Sequence, residues 1–184
     1  MLGLVAVFFL LAADAPKTPQ FFFGAGVGWT HTGSQDFPSC CSTSSAPDGL
    51  ALSLEAQVEY GRFFAAASFV FAQNANTADD WVPGMVTGRL GIYLLNTAFS
   101  PYLAAGGGFL REVLRDGDAP PNAVAASGAA VLAEAGLSGL RSWRAGRVNA
   151  YVQVLQPLFD DPPSPGHQPP STKTCLLAGI RLFY

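Results

Sequence analysis

The chain has 184 residues and a formal net charge of −3; only 12% of its side chains are charged, while 49% are hydrophobic. The usual charged share is about 25%, so little polar surface remains for water, and no basic footprint points to nucleic acid. The length suggests one domain, and no stretch reaches the roughly 18 uncharged apolar residues of a membrane-spanning helix.

The chain opens "MLGLVAVFFLLAADAPKTPQ". The apolar run from Leu2 to Ala13 is too short to cross a bilayer as a helix. It has the size of a signal-peptide core, and Ala13-Asp14-Ala15 resembles an A-x-A cleavage site. No Lys or Arg precedes the run, and Pro16 would follow the cut. Residues 1–15 are therefore expected to be a signal peptide truncated at its start, and 20–184 to be the folded domain. No cysteine lies beside the cleavage site, which argues against a lipid anchor there.

Eight later stretches alternate with period two, the signature of strands with two different faces. In "QFFFGAGVGWTH", Phe21, Phe23, Ala25, Val27 and Trp29 oppose Phe22, Gly24, Gly26, Gly28 and Thr30. In "LALSLEAQVEYG", Leu50, Leu52, Leu54, Ala56, Val58 and Tyr60 oppose Ala51, Ser53, Glu55, Gln57 and Glu59. "RFFAAASFVFAQ" gathers Phe63, Ala65, Ala67, Phe69 and Phe71 on one face. "MVTGRLGIYLL" sets Val86, Leu90, Ile92 and Leu94 against Thr87, Arg89, Gly91 and Tyr93.

The fifth stretch, "SPYLAAGGGFLRE", opposes Leu103, Ala105 and Phe109 to Tyr102, Ala104, Gly106 and Gly108. The sixth, "GAAVLAEAGLSGL", competes with helix because Ala, Leu and Glu are good helix formers; its glycines and the spacing of Val131, Ala133, Ala135 and Leu137 favour strand. In "GRVNAYVQVLQ", Val148, Ala150, Val152 and Val154 oppose Arg147, Asn149, Tyr151 and Gln153. The last stretch, "TCLLAGIRLFY", puts Leu176, Ala178, Ile180, Leu182 and Tyr184 on one face.

Connections between these stretches alternate long and short, beginning with "TGSQDFPSCCSTSSAPDG" and then the tight turn at Gly61-Arg62. Short connections make antiparallel hairpins, so every long loop falls at one end of the assembly. The fold class expected is all-β, an eight-stranded antiparallel up-and-down barrel. Its faces decide which side meets water. One face is apolar throughout, with aromatics near strand ends. The other is glycine-rich and carries the isolated charges Glu55, Glu59, Arg89, Glu134, Arg147 and Arg181. Those few charges cannot solvate eight strands, but they fit inside a barrel whose narrow interior is filled by side chains. Three Glu and three Arg cancel, so pairing could offset the cost of burial. The apolar face is then left for lipid, and closure satisfies the backbone within the hydrocarbon. The last strand must pair with the first to close the ring.

On these residues the chain resembles the small bacterial outer-membrane barrels of the OmpA/OmpX type. The stretch Pro101 to Phe109, "PYLAAGGGF", looks like the Pro-Tyr-x-x-x-Gly-x-Gly strand common in that family. The resemblance implies that Leu176, Ala178, Ile180, Leu182 and Tyr184 form the signal read by the barrel-assembly machinery, although phenylalanine is the usual last residue. It also implies an outer-membrane location among lipid and lipopolysaccharide, with both termini periplasmic and the four long loops outside.

Candidate chemistry is sparse. His31 is followed by Thr32 and Gly33, and His167 by Gln168 and Pro169, so neither matches the His-x-Ser pair of the lipid A deacylase type. Glu55 and Glu59 lie about 13 Å apart along a strand, far for shared acid–base work. The loop aspartates match no calcium-loop spacing, and "GAGVG" is not followed by a helix, as a nucleotide fingerprint requires. No metal, cofactor or catalytic set is expected. The leading expectation is a non-enzymatic barrel with a filled lumen, structural or adhesive through its loops; a barrel enzyme acting on lipid A or another lipid, and a narrow pore, are the alternatives. Cys40 and Cys41 lie in the first long loop and Cys175 at the outer end of the last strand, so an oxidising compartment would allow a bridge across the closure seam; a vicinal Cys40–Cys41 bridge or three thiols are the competing readings.

Overall fold

The protein is described by a computed structural model covering residues 18–32, 48–74, 84–113, 124–141, 146–158 and 174–184. Eight strands are present: β1 (Gln20–Thr32), β2 (Asp48–Tyr60), β3 (Phe63–Asn74), β4 (Gly84–Tyr93), β5 (Ser100–Val113), β6 (Val124–Gly139), β7 (Arg147–Pro157) and β8 (Cys175–Phe183). Each pairs antiparallel with its sequence neighbours, and β8 pairs with β1 to close the barrel. The sixth stretch is a strand, so its cross-strand ladder outweighs the helical preference of its alanines and leucines.

The connections at 61–62, 94–99 and 140–146 gather at one end, and those at 33–47, 75–83, 114–123 and 158–174 begin and finish at the other. The second end is called the long-loop end below. The signal-peptide reading of residues 1–15 lies outside the described residues, as do Cys40, Cys41 and His167.

The barrel is inverted relative to a water-soluble one. Phe21 is 72% exposed and Leu90 71%, while Glu59 is 0% and Arg181 1% exposed. An apolar belt of this extent is unfavourable in water and favourable in a bilayer. Two aromatic girdles bound it. Phe21, Phe23, Tyr60, Phe63, Phe99 and Tyr184 stand near the short-turn end; Trp29, Phe69, Phe71 and Phe109 stand toward the other. The protein is a transmembrane β-barrel.

The interior is layered. Toward the long loops it is apolar, with Ala51, Val70, Met85, Ala130, Leu132, Leu155 and Leu177 buried. At mid-height it is charged, and toward the short turns it is aromatic, with Phe22, Phe64, Tyr93 and Phe183 buried.

Large lumen side chains are accommodated by glycines directly across the ladder on the next strand. The pairs are Phe64 with Gly91, Arg89 with Gly106, Tyr102 with Gly136, Tyr151 with Gly179, Arg181 with Gly26 and Phe183 with Gly24. At Gly136 an added Cβ would fall 2.5 Å from the Tyr102 ring and 2.5 Å from the Ala150 carbonyl oxygen. At Gly24 it would fall 2.6 Å from the Phe183 ring. The glycines are cut-outs for their neighbours' side chains, as expected where bulky groups fill a narrow barrel. Gly88 differs. It faces lipid, and a Cβ there would meet nothing within 4 Å.

Candidate functional site: the charged lumen

Glu55, Glu59, Arg89, Glu134, Arg147 and Arg181 are all buried. Glu55, Arg89, Glu134 and Arg181 meet at mid-lumen. Arg181 places Nη1 2.7 Å and Nη2 2.9 Å from the two oxygens of Glu134, and its Nε lies 3.1 Å from Glu55 Oε2. Arg89 pairs with Glu55 and sits 3.4 Å, Nε to Oε1, from Glu134. Each carboxylate therefore touches both guanidinium groups. Neutral neighbours complete the layer: the Tyr102 hydroxyl donates to Glu134 Oε1 at 2.9 Å, Arg181 Nη2 donates to Gln153 Oε1 at 3.3 Å, and the Arg181 guanidinium stacks 3.4 Å above the Tyr151 ring centre.

This arrangement uses the strengths of arginine. A planar fork matches a carboxylate edge to edge and stacks on an aromatic face, whereas lysine would supply a point charge. Burying four charges is costly, and mutual pairing is what makes it tolerable.

Glu59 and Arg147 lie nearer the short turns, Nε to Oε1 3.6 Å apart. Glu59 Oε1 also accepts from the Tyr93 hydroxyl at 2.7 Å and from Gln57 Nε2 at 2.8 Å. Arg147 stacks over the Phe22 ring at 4.5 Å and donates to Gln20 Oε1 at 3.2 Å.

Below this layer lies Arg141, which its turn position would have marked as solvated; instead it is 8% exposed. Its guanidinium carbon lies 3.7 Å from the Tyr93 ring centre. Burial lowers its pKa from the ordinary value, with Tyr93 and Glu59 pulling the other way. The residue before it, Leu140, has φ 62°, a left-handed conformation unfavourable for a branched side chain. Tyr93, Tyr102 and Tyr151 were visible in the sequence as inward by parity; that their hydroxyls and rings organise the arginines and glutamates was not.

Among the described residues, the buried carboxylates of the lumen are engaged by arginines, by the Tyr93 and Tyr102 hydroxyls and by Gln57. Among the described residues no three of His, Cys, Asp and Glu are grouped as a metal site would require.

The C-terminal residues occupy one lipid-facing row: Leu176, Ala178, Ile180, Leu182 and Tyr184 all point outward. Cys175 opens β8 opposite Thr32 of β1.

No known family model matches the chain, and no curated protein matches it. Solved structures do. Neisserial surface protein A (NspA) aligns over 90% of this chain and 97% of its own, with TM-score 0.69 and 10% identity. Ail, the attachment invasion locus protein of Yersinia pestis, aligns over 90% of this chain and 98% of its own, with TM-score 0.53 and 12% identity. At such identities the likeness is one of fold: an eight-stranded barrel built from a different sequence.

Proposed function

We propose that this chain is a non-enzymatic protein of a bacterial outer membrane that works through its four long loops, as an adhesin or a structural element, with its short turns and both chain ends on the periplasmic side. The observation that carries the reading is the inverted barrel with its lumen filled by paired charges. A lumen filled by paired side chains argues against solute passage and moves the functional reading to the long-loop end, with its loops at 33–47, 75–83, 114–123 and 158–174. Seven of the eight aspartates in these loops and beside them leave that end acidic in sequence, namely Asp36, Asp79, Asp80, Asp116, Asp118, Asp160 and Asp161, with Asp48 opening β2. The name of Ail, an attachment invasion locus protein, supports the adhesive form of the reading. Lipid, lipopolysaccharide around the belt and the barrel-assembly machinery are the partners this reading requires.

The test is fractionation of cells making the protein, combined with protease treatment of intact cells. Recovery in the outer membrane, slower or faster migration on an unboiled gel than on a boiled one, and cleavage within 158–174 from outside are expected. Recovery elsewhere, or cleavage only after the periplasm is opened, would overturn the location or the orientation. Steady conductance in planar bilayers would favour the narrow pore instead.

A further inference from the structure

Among the described residues, one buried side chain ties the short-turn end together. Arg141 belongs to the turn between β6 and β7, yet its Nη1 donates to the Leu95 carbonyl at 3.1 Å and its Nη2 to the Gly61 carbonyl at 3.4 Å. Its backbone N–H donates to the Ala98 carbonyl at 3.1 Å. Leu95 and Ala98 lie in the turn between β4 and β5, and Gly61 in that between β2 and β3. One residue thus links all three short turns. Its guanidinium covers the Tyr93 ring from below.

The backbone holds Arg141 in this position, and the layer above it has a use for a cover. Leu140 takes the left-handed φ of 62° immediately before it, a conformation that persists only when its surroundings enforce it. The Leu140 carbonyl in turn accepts from Arg147 Nη1 at 3.2 Å, so the floor of the lumen holds the bend. Above Arg141 lies a polar layer whose oxygens are not all matched: Glu59 Oε2, Ser138 Oγ and Asn149 Oδ1 accept no hydrogen bond among the described residues. Buried polar atoms of this kind take up water when water can reach them. Toward the long loops, the apolar layer of Val70, Met85, Leu132, Leu155 and Leu177 is a poor path for water.

We propose that Arg141 is a latch: it fastens the three short turns to one another and keeps solvent from the polar floor of the lumen. When it is released, the floor becomes a blind vestibule open at the short-turn end, beneath the mid-lumen charge cluster. This holds whichever ligand the loops bind. Arg62 provides the contrast. It also crosses between turns, donating from Nε to the Tyr93 carbonyl at 3.1 Å and from Nη2 to the Leu94 carbonyl at 2.9 Å, but it does so from the exposed side.

The test uses the full chain in lipid nanodiscs, with Ser138→Cys as reporter and a charged, membrane-impermeant methanethiosulfonate as probe. Ser138 is 0% exposed. Peptide mapping reads modification at position 138 alone, so the native cysteines do not interfere. In the parent the reporter is modified slowly. Adding Arg141→Ala, or Arg141→Gln where the alanine variant is not recovered folded, raises the rate by about tenfold or more, the effect of losing one or two charge-assisted hydrogen bonds. Adding Arg62→Ala leaves the rate within about twofold. Folding of each variant is checked by its shift on an unboiled gel. An unchanged rate in folded Arg141 variants overturns the latch, and so does an equal rise with Arg62→Ala, which would mean that any loosening of the turns admits the probe.

Discussion

Arg181 and Glu134 meet fork to fork at 2.7 and 2.9 Å although they lie on strands separated by β7. The bond crosses over the inner face of β7 and is possible because Tyr151 on that strand lies flat beneath the guanidinium. Removing Arg181 leaves two buried carboxylates, Glu55 and Glu134, sharing the one arginine Arg89, so one buried negative charge goes uncompensated. Arg181→Ala should lower unfolding stability by about 3–5 kcal/mol. Urea titration of the protein in lipid or detergent measures this, and an unchanged midpoint would show that the cluster contributes nothing. Because Glu55 and Glu134 share both arginines, Arg181→Ala and Arg89→Ala should be non-additive in a double-mutant cycle.

The glycine cut-outs make a second, contrasting pair of expectations. Gly136→Ala drives a methyl into the Tyr102 ring and the Ala150 carbonyl and should cost about 1–3 kcal/mol. Gly88→Ala points into open space on the lipid side and should change stability by no more than about 0.5 kcal/mol, or raise it through reduced unfolded-chain entropy. Equal effects at the two sites would mean that lumen packing is loose.

Tyr184 is held by its backbone: its N–H donates to the Phe23 carbonyl at 2.7 Å, and its carbonyl accepts from the Phe23 N–H at 3.0 Å. Its ring is 87% exposed in the aromatic girdle. Tyr184→Asp keeps those backbone bonds but places a charge at the lipid boundary, where it opposes insertion. We expect reduced amounts in the membrane, with loop binding by the inserted fraction intact. Wild-type membrane levels of this variant would sink both the girdle role and the assembly-signal role.

A disulfide across the seam is the fourth expectation. Thr32 sits opposite Cys175 in the β1–β8 ladder, and the chain leaves β1 there for the loop that carries Cys40 and Cys41. A bridge needs Cα atoms within about 7 Å, and closing so long a loop stabilises by up to about 5 kcal/mol in the chain-entropy picture. Peptide mapping without reductant should find Cys175 joined to Cys40 or Cys41. A Cys40–Cys41 link, or three alkylatable thiols, excludes it.

The alternation of faces was legible because each strand meets two media, lipid outside and a packed lumen inside, and a period of two records that contrast residue by residue. Parity alone told which way Glu55 and Arg181 point. It could not tell that they meet, because their strands flank β1, and contact across a strand depends on the tilt and stagger of the closed ring. The glycines were visible as a small-residue face, but their one-to-one match with Phe64, Arg89, Tyr102 and Tyr151 appears only once the register is known. Arg141 was hidden for a different reason. A turn arginine is ordinarily solvated, and its inward swing follows from the left-handed backbone at Leu140, a residue type that gives no hint of such a conformation.

The glycines of β1 bear on how the ring finds its closing register. Gly24, Gly26 and Gly28 form a smooth track along which β8 can slide in steps of two residues, about 7 Å, without changing which faces are inward. A step in one direction brings Phe183 opposite Phe22, already buried in the lumen, and two rings collide in the space of one. A step in the other leaves Phe183 and Arg181 opposite glycines but carries Arg181 away from Glu55, its partner on the far side of β1. The seam thus behaves as a slider with two unlike stops, a steric one on the side of Phe22 and an electrostatic one on the other.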